Sequence, residues 1–234
     1  MTVKLSKNSS SLTWEKLRCH LKDNLDNDKF WDKAIGIIKQ RVNERYFDPI
    51  KALLSIRNKK GEGFSIVTIQ CALIEFLSAC RYGMIYKYDY NQKTDPNYYY
   101  KASSDIFSKL LDNAEIFEDY FHNKKKTQAI FLSKDFYTNV RCALLHEAYT
   151  RNGWTINTTS ELKDDLTNTI IFKKYQGKKK IFRTALHSAL ENYFNSYILE
   201  LSESSIKGQT LRKYLARKLD QICEVIPDAN YWWL

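Results

Sequence analysis

Apolar residues recur every three or four positions along most of this chain, and that spacing predicts helices. After a polar, serine-rich lead-in over residues 1–11, residues 12–25 and 30–46 read as the first two. The second carries Phe30, Trp31, Ala34, Ile37, Ile38 and Val42 on one stripe. Asp48-Pro49 suits the first turn of a third helix, which runs through Ile50, Leu53, Leu54 and Ile56 to a turn at 58–63. Residues 64–82 form the most apolar segment, about five helical turns long, and are expected to be the central core helix. The segment is read as too short and polar to cross a bilayer. Glu75 is its one acid, placed either at the helix rim or against a partner, because a buried carboxylate needs one.

Residues 85–101 break the helical period with six tyrosines and a Thr-Asp-Pro-Asn turn, so they read as a loop. Such a loop either lies flat over the core or offers rings for stacking. Helices follow at 103–113 and 114–122, the latter ending before the run Lys124-Lys125-Lys126. Residues 133–154 then read as one long helix, with Ser133 as its cap, Asp135 in its first turn and Asn152-Gly153 as its left-handed stop. Beyond it the period changes to alternation. Residues 154–157 predict a short strand, and 169–175 with 178–183 a hairpin around Gln176-Gly177, tipped by Lys178-Lys179-Lys180. Thr184 is placed to cap the next helix, whose core stripe is Leu186, Leu190, Phe194, Tyr197, Ile198 and Leu201. A linker at 202–208 precedes a last amphipathic helix at 210–226, and the terminal Tyr231-Trp232-Trp233-Leu234 is apolar enough to dock on the body or on a second subunit.

Composition supports a mainly α chain. Apolar residues make up 44% and aromatics 14%, with only seven Gly and three Pro in 234 residues, which excludes a disordered chain and favours long regular elements. No internal repeat or composition shift marks a boundary, so a single domain over 1–234 is expected. The net charge of +10 raises the prospect of a polyanionic partner. The five cysteines are scattered without a CxxC pair, which suggests neither a zinc ribbon nor a disulfide framework. With no apolar leader at the start, a soluble cytoplasmic protein without a membrane partner is the expectation.

Most catalytic motifs are missing. His146-Glu147 begins like HExxH, but Thr150 stands where the second zinc ligand belongs. Phosphate-cradling GxxxxGK[ST] and GxGxxG loops and the GxSxG elbow are absent, so no metal or cofactor is called for. What survives is Arg141-x4-His146 in a basic, helical chain. RNA cleavage without metal needs a group that moves the 2′-hydroxyl proton and a cation that holds the phosphate as its charge grows, and His and Arg suit those tasks. Five residues of ideal helix rotate by about 140°, so the pair converges only if the helix loosens, the arginine reaches around, or a second subunit closes the site. Asn139, Cys142 and His146 share a face, on which Asn139 could orient the imidazole. Glu147 and Arg151 sit at i,i+4, where the arginine either pairs with the acid or meets phosphate. His187 and Glu191 have the same spacing and read as structural.

An Arg-x4–6-His motif late in a bundle helix resembles the signature of the HEPN superfamily, all-helical domains that often act as metal-independent endoribonucleases. The resemblance covers roughly residues 64–153 and the closing helices at 184–226, with additional N-terminal helices at 12–57 and a β-hairpin insertion at 154–183. It implies a HEPN-like helical bundle and a homodimer with Arg141 and His146 as the catalytic pair. It further implies RNA as substrate, 2′,3′-cyclic phosphate products, and a role in defence or stress growth control with an activator or antitoxin as partner. Cys142 departs from the pattern, since active members often carry Asn, Asp or His after the arginine. Lys124, Lys125, Lys126, Lys178, Lys179, Lys180 and Arg151 are the candidate RNA contacts. Two alternatives stand beside this reading: a non-catalytic nucleic-acid-binding module built on the lysine runs and the tyrosine loop, and a helical dimerisation scaffold.

Overall fold

The structure is a computed structural model, and it describes residues 3–21, 24–26, 29–56, 61–122, 129–158 and 170–225. It is mainly helical, with three small sheets among the described residues. The chain divides into two compact units, Met1–Arg45 with Leu77–Lys101 and Phe194–Leu234, and Tyr46–Phe76 with Ala102–Tyr193.

In the first unit a short hairpin, β1 (Lys4–Ser6) and β2 (Ser9–Ser10), leads into α1 (Ser11–Leu21), and α2 (Lys29–Val42) packs beside them. Trp14, Leu21, Trp31 and Ile38 are buried, as the apolar stripes require. Two charged groups among them are anchored by hydrogen bonds. Asp220, buried, accepts from the Trp14 indole nitrogen at 2.7 Å and from Arg18 Nε at 3.0 Å. Arg212, also buried, donates to the carbonyls of Leu25, Leu201 and Glu203, so its charge is met by free carbonyl ends. The last helix, α9 (Ile206–Ile222), starts four residues earlier than its periodicity suggests, because Ser205 caps it by accepting from the Gly208 amide at 3.1 Å. Gly208 is required there: a Cβ would stand 2.2 Å from the Glu203 carbonyl oxygen. The tyrosine segment is not wholly irregular. Ile85–Tyr86 (β3) and Tyr99–Tyr100 (β4) pair in parallel, Tyr98 is buried, and Arg217 lies 4.3 Å from its ring centroid.

Two helix starts differ from the sequence expectation. Asp48-Pro49 does not begin a separate helix, because α2 runs through a π-helical turn (Asn43–Phe47) straight into α3 (Asp48–Leu54). Proline lacks an N–H and crowds the carbonyl four residues back, and the wider turn just before it accommodates both. Thr184 does not cap the next helix either, since α8 (Arg183–Leu201) follows directly on a strand and the Thr184 hydroxyl lies 3.5 Å from the Thr158 carbonyl. The core helix α4 (Glu62–Tyr82), by contrast with the expectation, is long and apolar enough by composition to cross a membrane. Its most apolar window is 61% buried inside the fold, as in a core helix.

The second unit is built on an aromatic core. Helix α5 (Ser103–Asn113) is followed by a 3₁₀ turn (Glu115–Phe117) and a π-helical turn (Glu118–His122). A helix then runs from Ser133 to Glu147 as α6 (Ser133–Phe136), a π-helical segment (Tyr137–Cys142) and α7 (Ala143–Glu147). The expected hairpin is present as β6 (Phe172–Tyr175) and β7 (Lys178–Phe182), with Gln176 and Gly177 both at positive φ in the turn. Strand β5 (Trp154–Asn157) adds to it parallel to β7, so the order is β5-β7-β6. Phe121, Phe131, Phe136, Trp154 and Phe172 meet with ring centroids 5.1–6.2 Å apart, mostly edge to face.

Candidate functional site

The helix that carries Arg141 and His146 is shorter than its polar and apolar pattern suggests. It stops at Glu147 with Ala148 left-handed at φ 50°, not at Asn152-Gly153, which form a second turn. The reason is Trp154. Burying that ring in the aromatic core makes the chain double back along its own helix, with the Arg151 amide donating to the Asn139 carbonyl at 2.8 Å. Ser133 is not the cap: Leu132 occupies that position, and the Ser133 hydroxyl donates to Asp112 at 3.0 Å.

The acid of the first turn has a larger role. Asp135 accepts from Asn139 Nδ2 at 2.8 Å and Asn152 Nδ2 at 2.6 Å on one oxygen. Its other oxygen accepts from the Trp154 indole nitrogen and from Lys179 Nζ, both at 2.8 Å. Burial alone would raise the Asp135 pKa, but the Lys179, Trp154 and Asn152 donors outweigh it and hold the carboxyl below its ordinary range. Asn139 Nδ2 is thereby engaged by Asp135, and among the described residues no hydrogen bond joins Asn139 to His146.

Arg141 sits within the π-helical segment and turns inward. Its Nη2 donates to Glu75 Oε2 at 3.1 Å, and its guanidinium carbon lies 5.3 Å from the Tyr137 ring centroid. Both members of the ion pair are mostly but not fully covered, at 22% and 17% side-chain exposure, so solvent still reaches the arginine. Burial works against its charge, yet the Glu75 carboxylate and the Tyr137 phenol prevail and its pKa is raised. Tyr137 is pushed up as well, by burial and by its neighbours Cys142 and Glu75, against the pull of Arg141. Cys142 is half-buried beside the phenol, and Cys71, buried nearby on α4, has its thiol pushed up by burial.

His146 is placed differently. It is exposed and makes no hydrogen bond or ion pair among the described residues. Among the described residues no hydrogen bond or ring contact joins it to Arg141, although the helix loosens to π geometry over Tyr137–Cys142 before returning to α geometry at Ala143–Glu147. Within one chain Arg141 is thus held on Glu75 while His146 stands exposed. Glu147 and Arg151 pair with each other, with Arg151 Nε donating at 2.8 Å.

Of the lysines named from sequence, Lys124, Lys125 and Lys126 lie outside the described residues, as does the Tyr231–Leu234 tail. Lys179 is half-buried on Asp135 and 5.5 Å from the Trp154 ring centroid, so it is part of the fold and not a free RNA contact. Lys178 and Lys180 lie on the other face of β7. The register places Lys173 opposite Lys180 and Tyr175 opposite Lys178 on that face, so the hairpin carries a stripe of three lysines and one exposed tyrosine. His187 is buried 3.4 Å from Glu191, which also holds Lys51 at 2.7 Å. Burial, with Lys51 adding to it, keeps the imidazole pKa below its usual value against the pull of Glu191.

The sequence does not name the partners that Glu75, Tyr137 and Asp135 find. The signals were slight: a lone acid in an apolar helix for Glu75, and an i,i+4 spacing between Asp135 and Asn139. Among the described residues no three His, Cys, Asp or Glu side chains cluster as metal ligands would. Chemically, the half-buried guanidinium is suited to holding an anion, and the exposed imidazole one turn on is suited to moving a proton. No protein-family model, curated protein or solved structure matches this chain.

Proposed function

We propose that this protein is a metal-independent endoribonuclease of the HEPN type. Arg141 holds the scissile phosphate as charge builds on it, and His146 moves a proton to or from the reacting oxygens. The observation that carries the reading is the state of Arg141. It is half-buried, aimed by Glu75 and Tyr137, and uses only Nη2 toward the carboxylate, which leaves Nε and Nη1 for a phosphate oxygen. Because Arg141 is held on Glu75 while His146 is exposed and makes no hydrogen bond with it among the described residues, the active cleft takes its histidine from a second copy of the chain, and the working unit is a homodimer. The chemistry needs the neighbouring 2′-hydroxyl, so RNA is cut to 2′,3′-cyclic phosphate ends and DNA is not. Such an activity suits defence or stress growth control in the cytoplasm, under an activator or antitoxin.

The test is cleavage of RNA in EDTA by the full chain. Arg141→Ala is expected to lower the rate by about 10²–10³-fold and His146→Ala by about 10²–10⁴-fold. A 1:1 mixture of the two inactive variants should recover part of the activity, because a mixed dimer keeps one intact cleft. Intact RNA with the wild type across a wide concentration range would reject the reading.

A second reading has its own observation. The outer face of the hairpin sets Tyr175, 60% exposed, beside Lys178, the arrangement used to stack a base and hold its phosphate. A non-catalytic RNA-binding module would bind through that face with no dependence on His146.

A further inference from the structure

The first unit contains a groove that the ribonuclease reading does not use. It lies along α1 and α2 beside the β1–β2 hairpin and has a volume of about 760 Å3, within the range of small-molecule sites. A smaller hollow of about 380 Å3 adjoins it, sharing Ser9, Ser10 and Thr13. Leu17 and Ile37 form a buried apolar floor, and Leu12, 53% exposed, stands at the lip.

Charge on the lining is of one sign. Lys16 and Lys33 line the groove, Lys4 and Lys7 line the hollow, and neither is lined by a carboxylate. None of the four ammonium groups has an acidic partner among the described residues. The hydroxyls of Ser9, Ser10 and Thr13 lie between the lysines, at the positive end of the α1 dipole. Glu44, in the turn that follows α2, is already engaged: it accepts from the Lys7 amide at 2.8 and 3.1 Å and from Gln40 Nε2 at 2.9 Å. Those bonds, with Arg41 Nη1 donating to the Leu5 carbonyl at 2.9 Å and the Ser6 hydroxyl to Gln40 at 3.0 Å, tie the hairpin to α2 and fix the wall.

Gly36 is the independent observation. It lies within α2 and lines the groove, and a Cβ there would meet nothing within 4 Å. A glycine inside a helix is destabilising relative to alanine, and packing does not require this one. What its missing side chain preserves is open space over the apolar floor.

We propose that this groove binds a small phosphorylated ligand of the nucleotide kind. Its phosphates lie among Lys4, Lys7, Lys16, Lys33 and the serine and threonine hydroxyls, and its uncharged body lies over Gly36 against Leu17 and Ile37. Calorimetric titration of the full chain with ADP, inorganic pyrophosphate and adenosine tests it. ADP binds best, pyrophosphate less well, and adenosine not measurably. Gly36→Leu, whose Cβ would meet nothing within 4 Å, weakens ADP at least tenfold while the melting temperature stays the same or rises. Lys16→Glu with Lys33→Glu does the same by removing the charge. No binding of ADP, equal binding of adenosine and ADP, or unchanged affinity in both variants would overturn the proposal. So would a single-stranded RNA that binds and is lost in these variants where ADP does not bind. RNA cleavage depends on Arg141 and His146 in the other unit, so failure here leaves that activity to be judged by its own assay.

Discussion

Asp135 gathers four donors from three stretches of chain, and each of its oxygens is satisfied twice. Hydrogen bonds to a charged group are among the stronger ones, and removing the charge leaves Lys179 half-buried without an anion. Asp135→Asn is therefore expected to destabilise the protein by about 2 kcal/mol at neutral pH, read as a lower urea midpoint. Its folded pKa is depressed, so this stabilisation is complete above the unfolded value of about 3.9 and is lost as pH falls through the folded one. Wild type and variant should converge in acid. His187 acts in the opposite chemical sense with the same slope. Its folded pKa is lowered, so the unfolded chain binds the proton more readily and stability falls as pH drops below about 6.5. Urea titrations at pH 7.5 and 5.5 should show a smaller loss for His187→Leu than for wild type. At Arg141, Glu75→Gln keeps the shape and removes the charge that aims the guanidinium. On the ribonuclease reading it reduces cleavage less than Arg141→Ala does, and a variant with unchanged activity would separate Glu75 from the site.

Among the elements, the helix Ser133–Glu147 sets the geometry of the site. Its π-helical segment turns Arg141 toward α4, and its early end frees the chain to bring Trp154 into the aromatic core. The end is imperfect. Ala148 adopts the left-handed conformation that glycine takes without a Cβ penalty. Ala148→Gly is expected to raise stability by about 0.5–1 kcal/mol, since the relieved strain exceeds the added unfolded-state entropy. A lower melting temperature for that variant would show the residue to be unstrained. The hairpin β6–β7 divides its lysines by strand alternation, with Lys179 held inward and Lys178 and Lys180 outward. Only the outward face is available to a polyanion.

For the whole molecule, the charge of +10 matters through where it is exposed. If the hairpin face meets RNA, the logarithm of affinity falls with the logarithm of salt by about 0.7 per phosphate neutralised. Replacing Lys178 by Ala should then flatten that slope by about 0.7, whatever the state of His146. An unchanged slope would place the RNA path elsewhere.

The amino-acid sequence by itself determined what is local. Helical periodicity, the hairpin around Gln176-Gly177 and the placement of Arg141 and His146 on one helix each depend on neighbours within a few residues. Such signals need no knowledge of the rest of the chain. The tertiary structure decided where those elements stop and what their polar residues meet. Trp154 ends a helix by requiring burial, and Pro49 is absorbed by a π-helical turn instead of starting a helix. Glu75 finds Arg141 across 66 positions, and Lys179 finds Asp135 across 44. The groove beside Gly36 exists only because a hairpin, α1 and α2 close around it. Ion pairs, caps and cavities depend on distance in space, and distance in space follows from how side chains far apart in the chain share one core.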